Sequence, residues 1–599
     1  MIWQKLLLVT TLPLQTLPAL SGQPSVIYHV DLTHIEADSF YVHASLGGFP
    51  CDTAVLVFAA TAPGTYQRID AGRFVGSFRA YDSRNTILKV RHPAPGIFQI
   101  SPARELAGLE YRVQDSYDSA DTTLPITPDE GSILQPHGAI LNAQMVCGYF
   151  RGFQSAPLAI DFQCPPGWTI GCALPNQNGR FTASSFDELV DSPFLFGDLS
   201  SAAFSAAGTH FDVFVLSDQH LIRAPVLVDT LRRISQNVGR FLGAFPVPHY
   251  TFLFYFQRGI PFSAMEHHRS SVYGIPEDSL GPAEERMVET VPHEMLHLIT
   301  PLNIRSELIE EFDFETPRAS RHVWFYEGVT EWAADMLLVR SGLISRNDFR
   351  EILKNKIAGL RNFDQRVSLV NSSLNCYRDP GMQWRNAYFR GMLVAMMIDI
   401  RLHELSGGQS DLRDLLRALS KTFSVHRPFE DRSLFDILVG QTYPALGTFF
   451  SEYVGGTRPL PLSPYLEKVG EQYHRAFHTG RFMGSVGKWR YGVADGRYVV
   501  RDPDSTDEIT RQLQIHDGDT LVELVLNKRD VFLGGGRLTS ALKDVSEGEE
   551  FEWVVDRAGT TMHLKGKARR EEIIEEAVLP VARTSRVQTE NRKWWWGNH

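Results

Sequence analysis

The sequence predicts a multidomain α+β protein with an N-terminal β domain, a mostly helical central domain and a smaller C-terminal domain of short strands. Three observations predict it. At 599 residues the chain is longer than one hydrophobic core supports, so several domains are expected. Residues 25–210 alternate short apolar runs with Gly, Pro and Asp breaks, whereas residues 215–460 carry long stretches with apolar side chains at the helical spacing. The segment Pro459-Leu460-Pro461-Leu462-Ser463-Pro464 then marks a boundary, after which short strands return over 480–568.

The elements follow in order. Residues 1–22 carry Lys5, the apolar run Leu6-Leu7-Leu8-Val9 and the small-residue stretch Ala19-Leu20-Ser21-Gly22, a pattern similar to a secretory signal peptide and hence to an exported protein. Pro13 and Pro18 interrupt the run, and a buried N-terminal strand is the alternative. The β domain is expected over 23–210, with strands such as Val26-Ile27-Tyr28-His29-Val30 and Tyr41-Val42-His43-Ala44. The central domain is expected over 211–465, with helices near 226–241, 283–299, 322–339 and 388–405 and a strand at Tyr250–Phe256. Strands over 475–568 form the last domain, and 569–599 read as a charged tail ending in Trp594-Trp595-Trp596.

Composition narrows the class. Hydrophobic residues at 43% and charged residues at 22% are ordinary for a soluble globular chain. The net charge of −11 disfavours nucleic acid, whose phosphates need a basic face. No stretch beyond the N-terminus is long and apolar enough to predict a membrane span. The five cysteines (Cys51, Cys147, Cys164, Cys172, Cys376) are odd in number and lack CxxC spacing, so neither a disulfide scaffold nor sulfur ligation of zinc is expected. Cys164 and Cys172 are near enough in sequence to pair in an exported protein. Nothing in the sequence sets an oligomeric state.

The chemistry concentrates at His293-Glu294-Met295-Leu296-His297, followed by Trp324-Phe325-Tyr326-Glu327-Gly328. Residues i and i+4 of a helix lie one turn apart on one face, so two imidazoles there can grip one Zn²⁺. The apolar surroundings (Met287, Val288, Val291, Leu298) predict a buried helix, where an imidazole pair needs a partner. Two His and one Glu leave a fourth position for water, the arrangement of a catalytic zinc site. Glu331, four residues beyond Glu327, is a candidate to receive a zinc ligand's other ring N–H; a solvated helix position is the alternative.

Further motifs carry a resemblance. Ala62-Pro63-Gly64-Thr65-Tyr66, Phe186-Asp187-Glu188-Leu189-Val190-Asp191-Ser192-Pro193, Ala264-Met265-Glu266-His267, the HEMLH segment, Trp324–Gly328 and Tyr388-Phe389-Arg390-Gly391 occur in one order. In these the chain resembles the glycyl-aminopeptidase family of gluzincin zinc metallopeptidases, which join an N-terminal β domain, a thermolysin-like catalytic domain and a C-terminal PDZ domain. The resemblance implies that His293, His297 and Glu327 hold one zinc ion per chain and that Glu294 is the general base. It implies that Glu266, with Ala264 and Met265 beside it, anchors the free α-amine of a peptide, and that Tyr388 stabilises the oxyanion. Residues 512–522 resemble a degenerate PDZ element.

Three departures bear on this. Ser263-Ala264 replaces a glycine pair, Arg390 replaces a lysine, and Pro292 before His293 predicts that the zinc helix starts or kinks there. The expected activity is removal of N-terminal residues from peptides, small ones such as Gly or Ala included. A thermolysin-type endopeptidase and a non-catalytic peptide-binding scaffold are the alternatives.

Overall fold

A computed structural model describes residues 24–117, 126–277, 280–379, 381–494, 497–531 and 537–597. The signal-like stretch at 1–22 lies outside them. The chain divides into two units, one reaching Gly470 and resuming at Arg583, the other spanning Glu471–Ala582.

In the first unit the strand Ser25–Asp31 sits inside a seven-stranded sheet, antiparallel to Ser39–Gly47 and parallel to Leu158–Gln163. Alternation along these strands buries Tyr28, Val30, Phe40, Val42 and Ala44 on one face and leaves His29 and His43 on the other. Two four-stranded sheets complete the β region, and Phe58, Phe98, Tyr111 and Phe196 lie in its core.

A five-stranded mixed sheet follows. Its order is Ser200–Ala206, Thr209–Ser217, His249–Gln257, Ser270–Pro276 and, at the edge, Ser263–Glu266. The middle three strands run parallel, which explains the unbroken apolar run at 250–256: a parallel strand is covered on both faces. The boundary expected at residue 210 therefore cuts a hairpin, since Ser200–Ala206 pairs with Thr209–Ser217. Its turn, Ala207-Gly208, takes positive φ at both residues (46° and 85°), the geometry of a two-residue hairpin without the usual Asn-Gly signal.

The helix Ala224–Leu242 packs against this sheet, burying Leu227, Leu231, Ile234 and Val238. The helix Leu280–Leu296 packs beside it and touches the edge strand. Pro292 neither starts this helix nor ends it but lies within it, one residue before His293. The sequence-predicted helix at 322–339 divides into a π-helical turn, Trp324–Val329, and an α-helix, Thr330–Arg340. Tyr388 closes a short 3₁₀ helix, Gln383–Tyr388, rather than heading the buried helix Arg390–Leu405.

The second unit contains a sheet that includes Arg490–Ala494, Arg497–Arg501, Thr520–Leu526, Glu550–Arg557 and Thr560–Lys567, around Val500, Leu524, Trp553 and Val555. A two-stranded ribbon, Glu471–Ser485 with Arg569–Pro580, belongs to it. The charged tail expected over 569–599 is thus corrected. Its charges at 569–572 ride a strand, and Arg586–Trp596 is a helix of the first unit opened by a Ser585–Gln588 capping box. Trp595 and Trp596 are buried there against Trp332 and Phe349, and Trp594 stacks on His403. All five cysteines are free, Cys164 and Cys172 included. Among the described residues no helix is long and apolar enough to cross a membrane.

Candidate active site

The last turn of Leu280–Leu296 presents His293 and Glu294, and His297 follows one turn on, its N–H bonded to the His293 carbonyl. The Nε2 atoms of His293 and His297 each stand 3.5 Å from Glu327 Oε2, and all three side chains are buried. Zinc takes such donors at roughly 2.0–2.2 Å, and tetrahedral placement around it separates them by about 3.4 Å. The residues therefore fit a zinc ion, with one position left for water.

The outer atoms of the ligands are tied down. His293 Nδ1 lies 2.7 Å from Glu331 Oε2, and His297 Nδ1 hydrogen-bonds the Thr300 carbonyl at 2.9 Å, so both rings turn Nε2 toward Glu327. Glu331, the candidate partner from sequence, is a partly buried carboxylate paired also with Lys356. Burial opposes its ionisation, yet Lys356 and His293 hold it well below the usual carboxylate range. Asp335, one turn further, is pushed up to about 8 by burial and by Glu331.

Glu327 sits on the π-helical turn, a feature frequent at functional sites. Its second oxygen, Oε1, accepts a 2.6 Å hydrogen bond from the Tyr66 hydroxyl. Tyr66 comes from the β region and holds a left-handed φ of 51°, a strained conformation for a bulky side chain. Tyr66 lies within the Ala62–Tyr66 motif, and no local sequence signal assigns it a role. Replacing it by Phe should weaken zinc binding roughly 10- to 100-fold with the fold retained, as read by chelator competition.

Two motif glycines bring the remaining parts together. A Cβ at Gly328 would stand 2.4 Å from the backbone carbon of Gly391, so only glycine lets these segments cross. The crossing sets Tyr388 beside the ligands, its ring 5.8 Å from that of His293. Burial and the Glu327 charge raise the Tyr388 phenol well above its ordinary pKa, which keeps it a proton donor. Arg390 points away from the site and donates to the carbonyls of Tyr453 and Arg458.

Glu266 ends the edge strand Ser263–Glu266 and shares a face with Ala264. Met265 lies on the other face, in an apolar cluster with Leu253, Tyr255 and Val272. Ligand atoms of Glu266, Glu294 and His297 all fall within 4.8 Å of one another. Burial raises both carboxyls, that of Glu294 well above the usual range, and the Glu266 charge adds to the shift of Glu294. Beyond Glu266 opens a cavity of 840 Å³ lined by Ala62, Pro63, Met265, Leu302 and Phe314 among others. His267 and His268 take no part in ligation. Their Nδ1 atoms face Asp191 at 3.3 and 2.8 Å, which ties the 186–193 segment to the end of the edge strand. His322 is equally structural, its Nε2 on the Asp431 carbonyl.

Residues 27–198 match the Peptidase M61 N-terminal domain, and residues 286–394, which contain every zinc-cradle residue, match the M61 glycyl aminopeptidase domain. The chain carries an M61 N-terminal domain and an M61 glycyl aminopeptidase domain. It is thus a metallopeptidase of aminopeptidase type, and the family implies zinc. Among solved structures, the aminopeptidase N family protein from Idiomarina loihiensis is 18% identical with a TM-score of 0.73, covering 96% of this M61 chain and 100% of its own. It shares the fold over almost the whole length. The M1 zinc metallopeptidase from Deinococcus radiodurans is 14% identical with a TM-score of 0.46, covering 74% of this chain and 95% of its own. Among curated proteins no sequence matches this chain.

Proposed function

We propose that this chain is a zinc aminopeptidase that removes single residues from the free N-termini of peptides. The observation that carries the reading is Glu266, a partly buried carboxylate at the end of an edge strand, grouped with Glu294 and His297. An edge strand offers unpaired backbone groups to an extended peptide, and a carboxylate at its end meets an α-ammonium by a charge-assisted hydrogen bond. Zinc in the His293–His297–Glu327 cradle, one ion per chain, would supply a Lewis acid and an acidified water. Glu294 then takes the water's proton and returns it to the leaving amine, while the Tyr388 hydroxyl donates to the developing oxyanion.

A preference for small first residues such as Gly or Ala is part of the proposal, because the Ala264 methyl shares the Glu266 face and narrows the approach. The thermolysin-like assignment of the catalytic region, the PDZ-like character of 475–568 and export through residues 1–22 rest on the sequence resemblance. The cavity continuing past Glu266 favours one second reading, an endopeptidase with room for residues ahead of the cleaved bond.

One comparison separates the two. With a peptide and its N-acetylated form as substrates, an aminopeptidase should lose roughly 10- to 100-fold or more in kcat/KM on acetylation, the worth of a charge-assisted hydrogen bond. Glu266→Gln should erase most of that difference. Equal cleavage of both forms by the unaltered protein would replace the aminopeptidase reading with the endopeptidase.

A further inference from the structure

Away from the candidate zinc cradle, three side chains of metal-ligating type converge on the face of the central sheet opposite to Glu266. His210 and Asp212 are two residues apart on Thr209–Ser217 and so share a face. His249 opens the neighbouring parallel strand in register with His210, which puts its side chain on that face too. Asp212 faces both imidazoles, with Oδ1 3.3 Å from His210 Nε2 and Oδ2 2.7 Å from His249 Nε2. The rings stand 5.1 Å apart and nearly perpendicular, at 79°. One donor atom from each residue falls within 4.8 Å of the other two.

We propose that His210, Asp212 and His249 form a second metal site, which takes a divalent transition ion such as zinc. The donor set decides the class. Two imidazoles and one carboxylate suit zinc, copper or nickel, whereas calcium and magnesium ask for oxygen ligands alone. The spacing suits it as well, because donors about 2.0–2.2 Å from zinc stand roughly 3.4 Å apart. The backbone holds the three in place before any ion arrives, since two adjacent strands of a five-stranded sheet fix their directions.

His210 and His249 are half-exposed, so an ion has direct access and water can complete its shell. On the same face the strand continues as Phe214 and Leu216, which press against Gly171 and Gly138 of the β region. An ion here therefore clamps two strands where the central sheet leaves the cover of the N-terminal sheets. The site is independent of the catalytic reading: it shares no residue with the zinc cradle.

The test isolates the second site by breaking the first. Metal-stripped His297→Ala protein, equilibrated by dialysis with zinc, should retain one zinc per chain. His297→Ala combined with His249→Ala, or with Asp212→Ala, should retain none. Otherwise unaltered protein should bind two zinc ions and the His249→Ala protein one, a second measurement that needs no damage to the catalytic helix. Copper(II) added to the His297→Ala protein should show nitrogen superhyperfine splitting in its electron paramagnetic resonance spectrum, lost with His249→Ala. A single zinc in otherwise unaltered protein, or a second zinc that survives both His210→Ala and His249→Ala, would overturn the proposal and leave an ordinary His–Asp–His ion-pair cluster.

Discussion

Replacing Glu294 by Gln should lower kcat by about 10²- to 10⁴-fold, the usual contribution of a positioned general base, while zinc stays bound. Gln keeps the size of the side chain but cannot take a proton. The ligands His293, His297 and Glu327 are untouched, and the orientation of the two imidazoles comes from Glu331 and Thr300, not from Glu294. Burial raises the Glu294 carboxyl well above its ordinary range in the metal-free protein, with the charges of Glu266 and Glu327 adding to it. A base is most effective when its pKa lies near the working pH, and such surroundings move a carboxylate that way. Steady-state hydrolysis of aminoacyl-arylamides, with zinc content measured on the same samples, checks this. Full activity in Glu294→Gln would remove the residue from the chemistry.

His297→Ala should abolish both the zinc held in the catalytic cradle and the activity, and should remove the stabilisation that this zinc confers. A ligand present at 1,000 times its dissociation constant stabilises the folded state by about 4.1 kcal/mol. Stripping zinc from the otherwise unaltered protein should therefore lower its melting temperature, and restoring zinc should raise it again. In His297→Ala the larger part of that shift should vanish, because the remaining pair, His293 and Glu327, sits 3.5 Å apart with no third protein ligand in the cradle. A melting curve with and without chelator, read beside zinc content, measures the effect. Unchanged zinc content and activity would show that the ion is held elsewhere.

The core of the candidate zinc cradle is legible because its signals are local. The i, i+4 spacing of His293 and His297 encodes their common face, and the same spacing between Glu327 and Glu331 aligns a ligand with a ligand's partner. What was not legible came from distance or from backbone detail. Tyr66 reaches Glu327 across 261 positions, and no periodicity announces such a contact. The π-helical turn under Glu327 and the 3₁₀ helix before Tyr388 replace regular α-helix where the sequence shows only apolar spacing. The glycines of the two motifs are visible as letters, but the reason for them, the crossing of Gly328 over Gly391, exists only in three dimensions.

The same holds for the fold. The hairpin at Ala207-Gly208 lacks the Asn or Asp that usually precedes the glycine of such a turn, and the expected boundary at 210 falls inside it. The charges at 569–572 resemble a solvated tail because the strand they occupy is largely exposed. His210 and His249 attract no notice in sequence, since 38 intervening residues separate two side chains that share a register.

The return of Arg586–Trp596 to the first unit sets an order on biosynthesis. Residues 471–582 are translated before the helix that covers Trp332 and Phe349, so the first unit stays open on that side until the insertion has left the ribosome. A nascent chain arrested before residue 583 would expose aromatic surface to chaperones even though every side chain of the candidate site had already been made.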